Sequence, residues 1–353
     1  RSLELARKFI SGKECFPSYV TTGDMLKKAL SPDFIPEKSA FFMPSGTGPC
    51  RFGQYNVFHR MVLHKIGLRD VPVFSPTQDT QFYSELGIIG KDFTEIAWRG
   101  VVAYEILLKS LHETRPFEKN KGQTDELYRH YTLRLYEALR ARDSVMEEVL
   151  EEMKKDFENV PKYNEEKPLI GIIGEIFVRS HRFSNEDLIR KIEELGGWVW
   201  LAPVEEWLYY VNYMAIKKAW IKGDWRAFIQ SYLKRFFQKR IEHRLHRPFR
   251  SMRTLREPDT KEILKNAGPY LPETFEGEAI LSIGKAIDLI KNGASGIINA
   301  MPFGCMPGTI VTSIMKSVSR DFGIPFISIP YDGTEASTNI LLLEAFMQQV
   351  KGR

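Results

Sequence analysis

Three cysteines, Cys15, Cys50 and Cys305, are the residues whose type and setting best suit them to chemistry. Cys50 lies in the turn PSGTGPCRFG, between the apolar run 39–43 (SAFFM) and a helical pattern; Cys305 lies in PFGCMPGT, between 295–301 (SGIINAM) and another. The two turns are alike in kind. A thiol that opens a helix faces the positive end of the helix dipole and free backbone N–H groups. These are expected to lower its pKa and favour the thiolate, the form that binds metal. Gly46, Gly48, Gly53, Gly304 and Gly308 remove side-chain bulk and permit positive φ, so that backbone could wrap closely around an inorganic centre. Cys15 sits in KECFP, within a segment, 13–24, that reads as an irregular and exposed loop. Three thiols in three such loops suit a cluster held between two domains. With no CxxC spacing, three unrelated cysteines are the competing reading. The count is odd and the separations are 35 and 255 residues, which is unlike a disulfide framework. It fits a reducing compartment, so the cytoplasm is the expected location.

Other positions carry weaker signals. Glu175, Arg179 and His181 follow a strand end in GEIFVRSH, and Glu335 follows another in YDGTE. Open α/β sheets bind ligands at the carboxyl ends of their strands, which makes Glu175, Arg179 and Glu335 candidate catalytic residues; ordinary loop ion pairs fit equally well. Residues 48–53 (GPCRFG) match the first half of a P-loop, but Gln54 and Tyr55 stand where Lys and Ser or Thr are required, so ATP binding there has little support. His59 and His64 are five apart and do not stack on one helical face. His243 and His246 are three apart and could share one; without a cysteine or carboxylate cluster beside them in sequence, they read as part of a basic surface rather than a zinc site.

The elements that must position these residues follow from periodicity. Helical patterns are expected at 3–10, 53–66, 93–160, 188–197, 205–246, 279–292, to about 322, and 337–350. Strands are expected at 39–43, 71–76, 168–176, 198–203, 295–301 and 325–330. Ser184 is expected to lead the helix 188–197. Strands alternating with helices imply parallel sheets covered on both faces. The predicted fold is α/β, with two doubly wound parallel-sheet domains of flavodoxin or Rossmann type carrying additional helices. These are placed at 1–165, with Cys15 and Cys50, and at 166–353, with Cys305. A length of 353 residues suits two cores better than one. With 43% hydrophobic and 27% charged residues the chain is expected to fold and stay soluble, which excludes disorder; no apolar run is long enough for a membrane helix, so no membrane partner is expected.

The net charge of +5 is unevenly spread. Residues 217–256 hold thirteen Lys or Arg against Asp224 and Glu242, a local balance of +11 that leaves −6 for the rest of the chain. Trp220, Trp225, Phe228, Tyr232, Phe236, Phe237 and Phe249 are interleaved with these cations. The simplest expectation is a helix that buries its aromatic face and solvates its basic one. A docking surface for an acidic partner or a phosphate-bearing ligand such as coenzyme A is the alternative, and nucleic acid comes third.

Five stretches taken together carry a resemblance: 48–55 (GPCRFGQY), 174–188 (GEIFVRSHRFSNEDL), 277–286 (GEAILSIGKA), 302–309 (PFGCMPGT) and 329–335 (IPYDGTE). In order along nearly the whole chain, they resemble the 2-hydroxyacyl-CoA dehydratase D-component family, most of all the dehydratase-like part of the large CoA-substrate-specific enzyme activase proteins. The resemblance implies two flavodoxin-like or Rossmann-like domains and a 4Fe-4S cluster held by three cysteines, here Cys15, Cys50 and Cys305, with the fourth iron position left for another ligand or substrate. It also implies an ATP-hydrolysing activator protein, or fused activator domains, as the partner that injects one low-potential electron. In the dehydratases that electron forms a ketyl radical on a 2-hydroxyacyl-CoA and permits loss of water. A CoA-linked small substrate, oxygen sensitivity, anaerobic metabolism and a dimer belong to the same expectation. The alternative is a non-catalytic docking or scaffold module of a larger activase protein that uses the basic helix 217–256.

Overall fold

Among the described residues six short apolar runs form strands, and every pairing among them is parallel. They belong to a computed structural model that describes residues 1–46, 48, 50–77, 85–87, 89–90, 92–141, 145–334 and 337–352. The protein is mixed α/β. Its first part holds α1 (Ser2–Arg7), α2 (Phe16–Ala29), β1 (Phe41–Phe42), α3 (Tyr55–Lys65), β2 (Val73–Phe74), α4 (Phe93–Thr114), α5 (Gln123–Ala141) and α6 (Val145–Asn159). The remainder holds β3 (Leu169–Gly174), α7 (Ile176–Ser180), α8 (Leu188–Glu194), β4 (Trp198–Leu201), α9 (Glu205–Lys222), α10 (Trp225–His246), α11 (Thr260–Ala267), α12 (Glu278–Lys291), β5 (Gly296–Pro302), α13 (Met306–Phe322), β6 (Phe326–Tyr331) and α14 (Ser337–Lys351). No helix among the described residues is long and apolar enough to cross a membrane.

β1 and β2 form a two-stranded sheet, while the other four strands form a sheet in the order β4-β3-β5-β6. Every residue of β3 is buried, as expected of a parallel strand covered on both faces. Its side chains alternate between two cores. Leu169 and Ile173 pack with Trp198, Trp200 and Ile297 beneath α11, α12 and α13. Ile170 and Ile172 pack with Val199, Ile298 and Ala300 beneath α8 and α14. A third core joins α4, α5 and α6 to Leu245 of α10.

The structure departs from the sequence expectations in four places. Segment 13–24 is a helix from Phe16 onward, because Pro17 in the first turn presets the helical φ and lacks an N–H that would go unpaired there anyway. The pattern at 93–160 divides into α4, α5 and α6, with Gly122 turning the chain ahead of α5 at φ +94°. Asp187, in the left-handed region, is the residue that precedes α8; the Ser184 hydroxyl is bonded to His181 instead. Most consequentially, α10 does not bury its aromatic face: Leu245 is the buried residue on it, and Trp225, Tyr232 and Phe236 are 60%, 59% and 53% exposed. Packing also crosses residue 165, since Phe16 and Val20 of α2 complete the second core on the four-stranded sheet.

Candidate functional site

Each of the three cysteines immediately precedes a helix. Cys15 is the N-cap of α2, Cys305 the N-cap of α13, and Cys50 the N-cap of a 3-10 turn, Arg51–Gln54, that runs into α3. The strand-to-helix turns place two of them. Cys305 follows β5, where the Gly308 N–H donates to its Sγ at 3.4 Å. Cys50 follows β1 in a loop folded tightly on itself: a Cβ on Gly53 would lie 2.5 Å from the Gly46 carbonyl oxygen, so only glycine allows this closure. Cys15 is buried, not exposed as the sequence suggested, because the α2 helix carries it inward and its Sγ shares a hydrogen bond with the Tyr55 hydroxyl. All three thiols are free.

These elements converge. Cys50 lies within electrostatic reach of both Cys15 and Cys305, and Glu175 within reach of all three. Cys50 and Tyr55 line a cavity of about 350 Å³ together with Glu175, Glu278, Trp207 and Met306. Among the described residues the three sulfurs do not all lie within 4.8 Å of one another, as ligands of one ion would. Thiolates on a polynuclear cluster bind different irons and need no such closeness. The donor types would suit that case: three thiols, two of them at α-helix N-termini and one at a 3-10 turn, with glycine loops beside Cys50 and Cys305.

The protonation state differs from the expectation of lowered thiol pKa values. Burial raises the Cys15 and Cys305 thiols, and Cys50, although exposed at the surface, is pushed up to about 11 by desolvation where it lines the cavity wall, in each case outweighing the backbone N–H groups beside them. Cavity walls and neighbouring carboxylates disfavour a naked thiolate, whereas a bound metal displaces the proton directly.

Two carboxyls complete the site. Glu175 begins α7 and accepts from the Phe177 and Val178 N–H groups at 3.1 and 2.8 Å. Gly174 aims it: φ is +115°, and a Cβ there would lie 2.1 Å from the Ala300 carbonyl oxygen. The Oε1 of Glu278, first residue of α12, accepts from the Ile176 N–H at 2.9 Å. Burial pushes both carboxyls up, Glu278 to about 8, and the negative charge of Glu175 adds to that shift. Glu278 was not singled out in sequence, although it begins the helix GEAILSIGKA; a carboxylate in a first helical turn is too common to stand out.

The remaining candidates have other roles or none visible. Arg179 is buried and donates to the Gly174 and Pro203 carbonyls at 2.7 and 3.0 Å, clasping the ends of two strand loops. It is a positioning residue. His181 stacks on Phe177 and bonds to Ser184. Glu335 lies outside the described residues. His59 is buried, its pKa pushed down to about 4 by burial, and His64 lies elsewhere on α3. His243 meets Arg250, whereas His246 turns toward two carboxylates, Glu242 and Glu205, contrary to its assignment to a basic surface.

A larger cleft, about 1240 Å³, opens on the far side of Arg179, and Val204 borders both spaces. Three of its cations are already paired, Arg115 with Glu193 and Asp125, Arg182 with Asp187 and Lys191 with Glu186, while Arg179 is held by backbone carbonyls. It therefore offers a phosphate less free charge than its arginines suggest. Compared with known proteins, the chain matches no family model and no curated protein.

Proposed function

We propose that this chain is an iron-sulfur protein that receives low-potential electrons from an ATP-hydrolysing activator and uses them on a small, CoA-linked substrate. The observation that carries the reading is that Cys15, Cys50 and Cys305 each open a helix or helical turn within electrostatic reach of Glu175, with Cys50 on the wall of the cavity and Pro17 and Met306, just beyond Cys15 and Cys305, lining it as well. Those three thiols would hold a 4Fe-4S cluster, which when bound supplies one-electron transfer and an open iron position. The chain's own groups supply the rest. Glu278, with Oε1 engaged by the Ile176 N–H, holds a proton on its other oxygen up to about pH 8, so it can donate that proton to a neighbouring oxygen leaving group. Glu175 shares the buried space, and Trp207 and Met306 limit access of water. A volume of about 350 Å³ suits the acyl end of a small substrate. The same reading takes 1–165 and 166–353 as two doubly wound domains, supported by the matching strand, cysteine turn and helix units, and places the protein in the cytoplasm.

Anaerobic reconstitution with iron and sulfide tests it. Wild-type protein should take up about four irons per chain with visible absorption, and Cys50→Ser or Cys305→Ser should abolish both. Normal iron loading in both variants would overturn the reading.

A second reading, a docking module built on α10, is favoured by one observation: its aromatic stripe faces outward. The partner it fits is a protein with an apolar surface rimmed by acidic residues, and the activator implied above is such a candidate.

A further inference from the structure

Where α9 begins against the end of α10, the helices bring together a buried acid and two residues of opposite chemistry. Glu205 is the first residue of α9 and is 1% exposed. Among the described residues neither of its carboxylate oxygens has a hydrogen-bond partner. A buried carboxylate without partners costs several kcal/mol and calls for a proton or a cation. Glu242 and His246 stand four apart on α10, hence on one face, and a ligand atom from each lies within 4.8 Å of the other and of Glu205.

The surroundings do not already supply that cation. The charge of the buried Lys109 reaches Glu205, but its ammonium is bonded to Glu257 at 2.7 Å, and Glu105 adds a further carboxylate beside it. Lys239 reaches Glu242 only at 4.0 Å, on the oxygen that accepts from the Tyr209 hydroxyl. That bond fixes the Glu242 carboxylate and leaves Oε1, 3.9 Å from His246 Nδ1, facing the group.

We propose that Glu205, Glu242 and His246 form a binding site for a first-row divalent metal ion, separate from the cysteine cavity. Two carboxylates and one imidazole on facing helices suit Mn(II), Fe(II) or Zn(II) better than an all-oxygen cation such as calcium. The ion would tie the root of the α9–α10 hairpin to the body of the molecule and neutralise the acid that packing has left unpaired. The proposal rests on residues outside the cysteine site and stands or falls independently of it.

Mn(II), which thiolates bind poorly, is the probe. Full-length protein stripped with chelator is titrated with manganese chloride and followed by electron paramagnetic resonance. The expected result is a single saturable ion with a nitrogen coupling from imidazole, bound about tenfold or more weakly in Glu205→Gln and His246→Gln, and bound normally in Cys50→Ser. Should Glu205→Gln fail to fold, the nitrogen coupling in wild type and its loss in His246→Gln decide the matter. No saturable binding in wild type, or binding as tight as wild type in both variants, overturns the proposal and leaves Glu205 a protonated core acid.

Discussion

One buried carboxylate, Glu257, answers two buried ammonium groups. Lys109 holds one of its oxygens at 2.7 Å, while Lys285, itself fully buried, holds the other and reaches Asp288 at 3.1 Å. Burial alone would raise the Glu257 pKa, but the two ammonium groups outweigh it and keep the carboxyl below its ordinary range. A group with a depressed folded pKa contributes stability that is fully present above its unfolded pKa and is lost as pH falls through the folded value. Glu257→Gln should therefore cost about 3–5 kcal/mol at neutral pH in urea denaturation, by stranding Lys109 and leaving Lys285 with Asp288 alone. Below about pH 4.3 its stability should fall less steeply than that of wild type. A loss under about 1 kcal/mol would mean the lysines find other partners. None of this is legible in sequence, because the partners of Glu257 stand 148 and 28 residues away. Cys50 and Cys305 were legible as a pair because a strand, a glycine turn and a helix are neighbours in the chain. Their protonation was not, since desolvation depends on walls built by distant segments.

Elements rather than single residues decide whether Glu175 can serve the cavity. β3 ends at Gly174, whose positive φ turns the chain beneath β5 and lets the Glu175 N–H donate to the Ala300 carbonyl at 3.0 Å. Gly174→Ala meets two penalties at once, a left-handed conformation that L residues resist and a backbone oxygen with no freedom to retreat. Gly67, at φ +82°, meets only the first, because nothing lies within 4 Å of a Cβ placed there. We expect Gly67→Ala to cost about 1 kcal/mol, and Gly174→Ala more than about 2 kcal/mol together with loss of the α7 segment from protection in hydrogen exchange. Equal costs at the two positions would show that the strand end tolerates the shift. At this scale the sequence was informative where apolar runs are short and bounded by Gly or Pro, as for β3, β5 and β6. It misled at 13–24, where Ser, Thr and Gly imitate a loop and the one helix signal is Pro17 after Cys15. The break ahead of α5 is marked in sequence by Pro116 and Gly122, but the apolar residues that resume at helical spacing on both sides of the turn outweigh that signal.

Charge segregation was plain from the sequence, but its meaning depends on how the molecule spends it. Of the cations in 217–256, Arg235 and Lys239 both meet Asp259 at 3.2 Å, Lys217 and Lys218 meet Glu273 and Glu276, and Arg244 meets Glu147. These four carboxylates offset part of the local +11, in pairs that lie largely at the surface. What α10 presents outward is apolar: Trp225, Tyr232 and Phe236 recur at helical spacing, joined by Ile229 and Leu233, each about half exposed or more. The inward face is the one with packing partners, where the Trp98 indole N–H donates to the Gln238 carbonyl and Leu245 enters the helical core. An amphipathic pattern fixes that a helix has two faces, not which of them meets the body. Aromatic side chains set among arginines are the composition of interface centres, and truncating such anchors commonly costs about 2 kcal/mol or more in binding. The double variant Trp225→Ser/Phe236→Ser should thus retain its folding free energy within about 0.5 kcal/mol, yet lose tenfold or more of its affinity for the proposed partner, an ATP-hydrolysing activator, in calorimetry. Because the paired cations contribute little, raising salt from about 0.1 to 0.5 M should weaken wild-type binding less than the double variant does. Unchanged affinity in the variant, or binding abolished by salt alone, would return the interaction to the basic residues and leave the exposed stripe without a docking role.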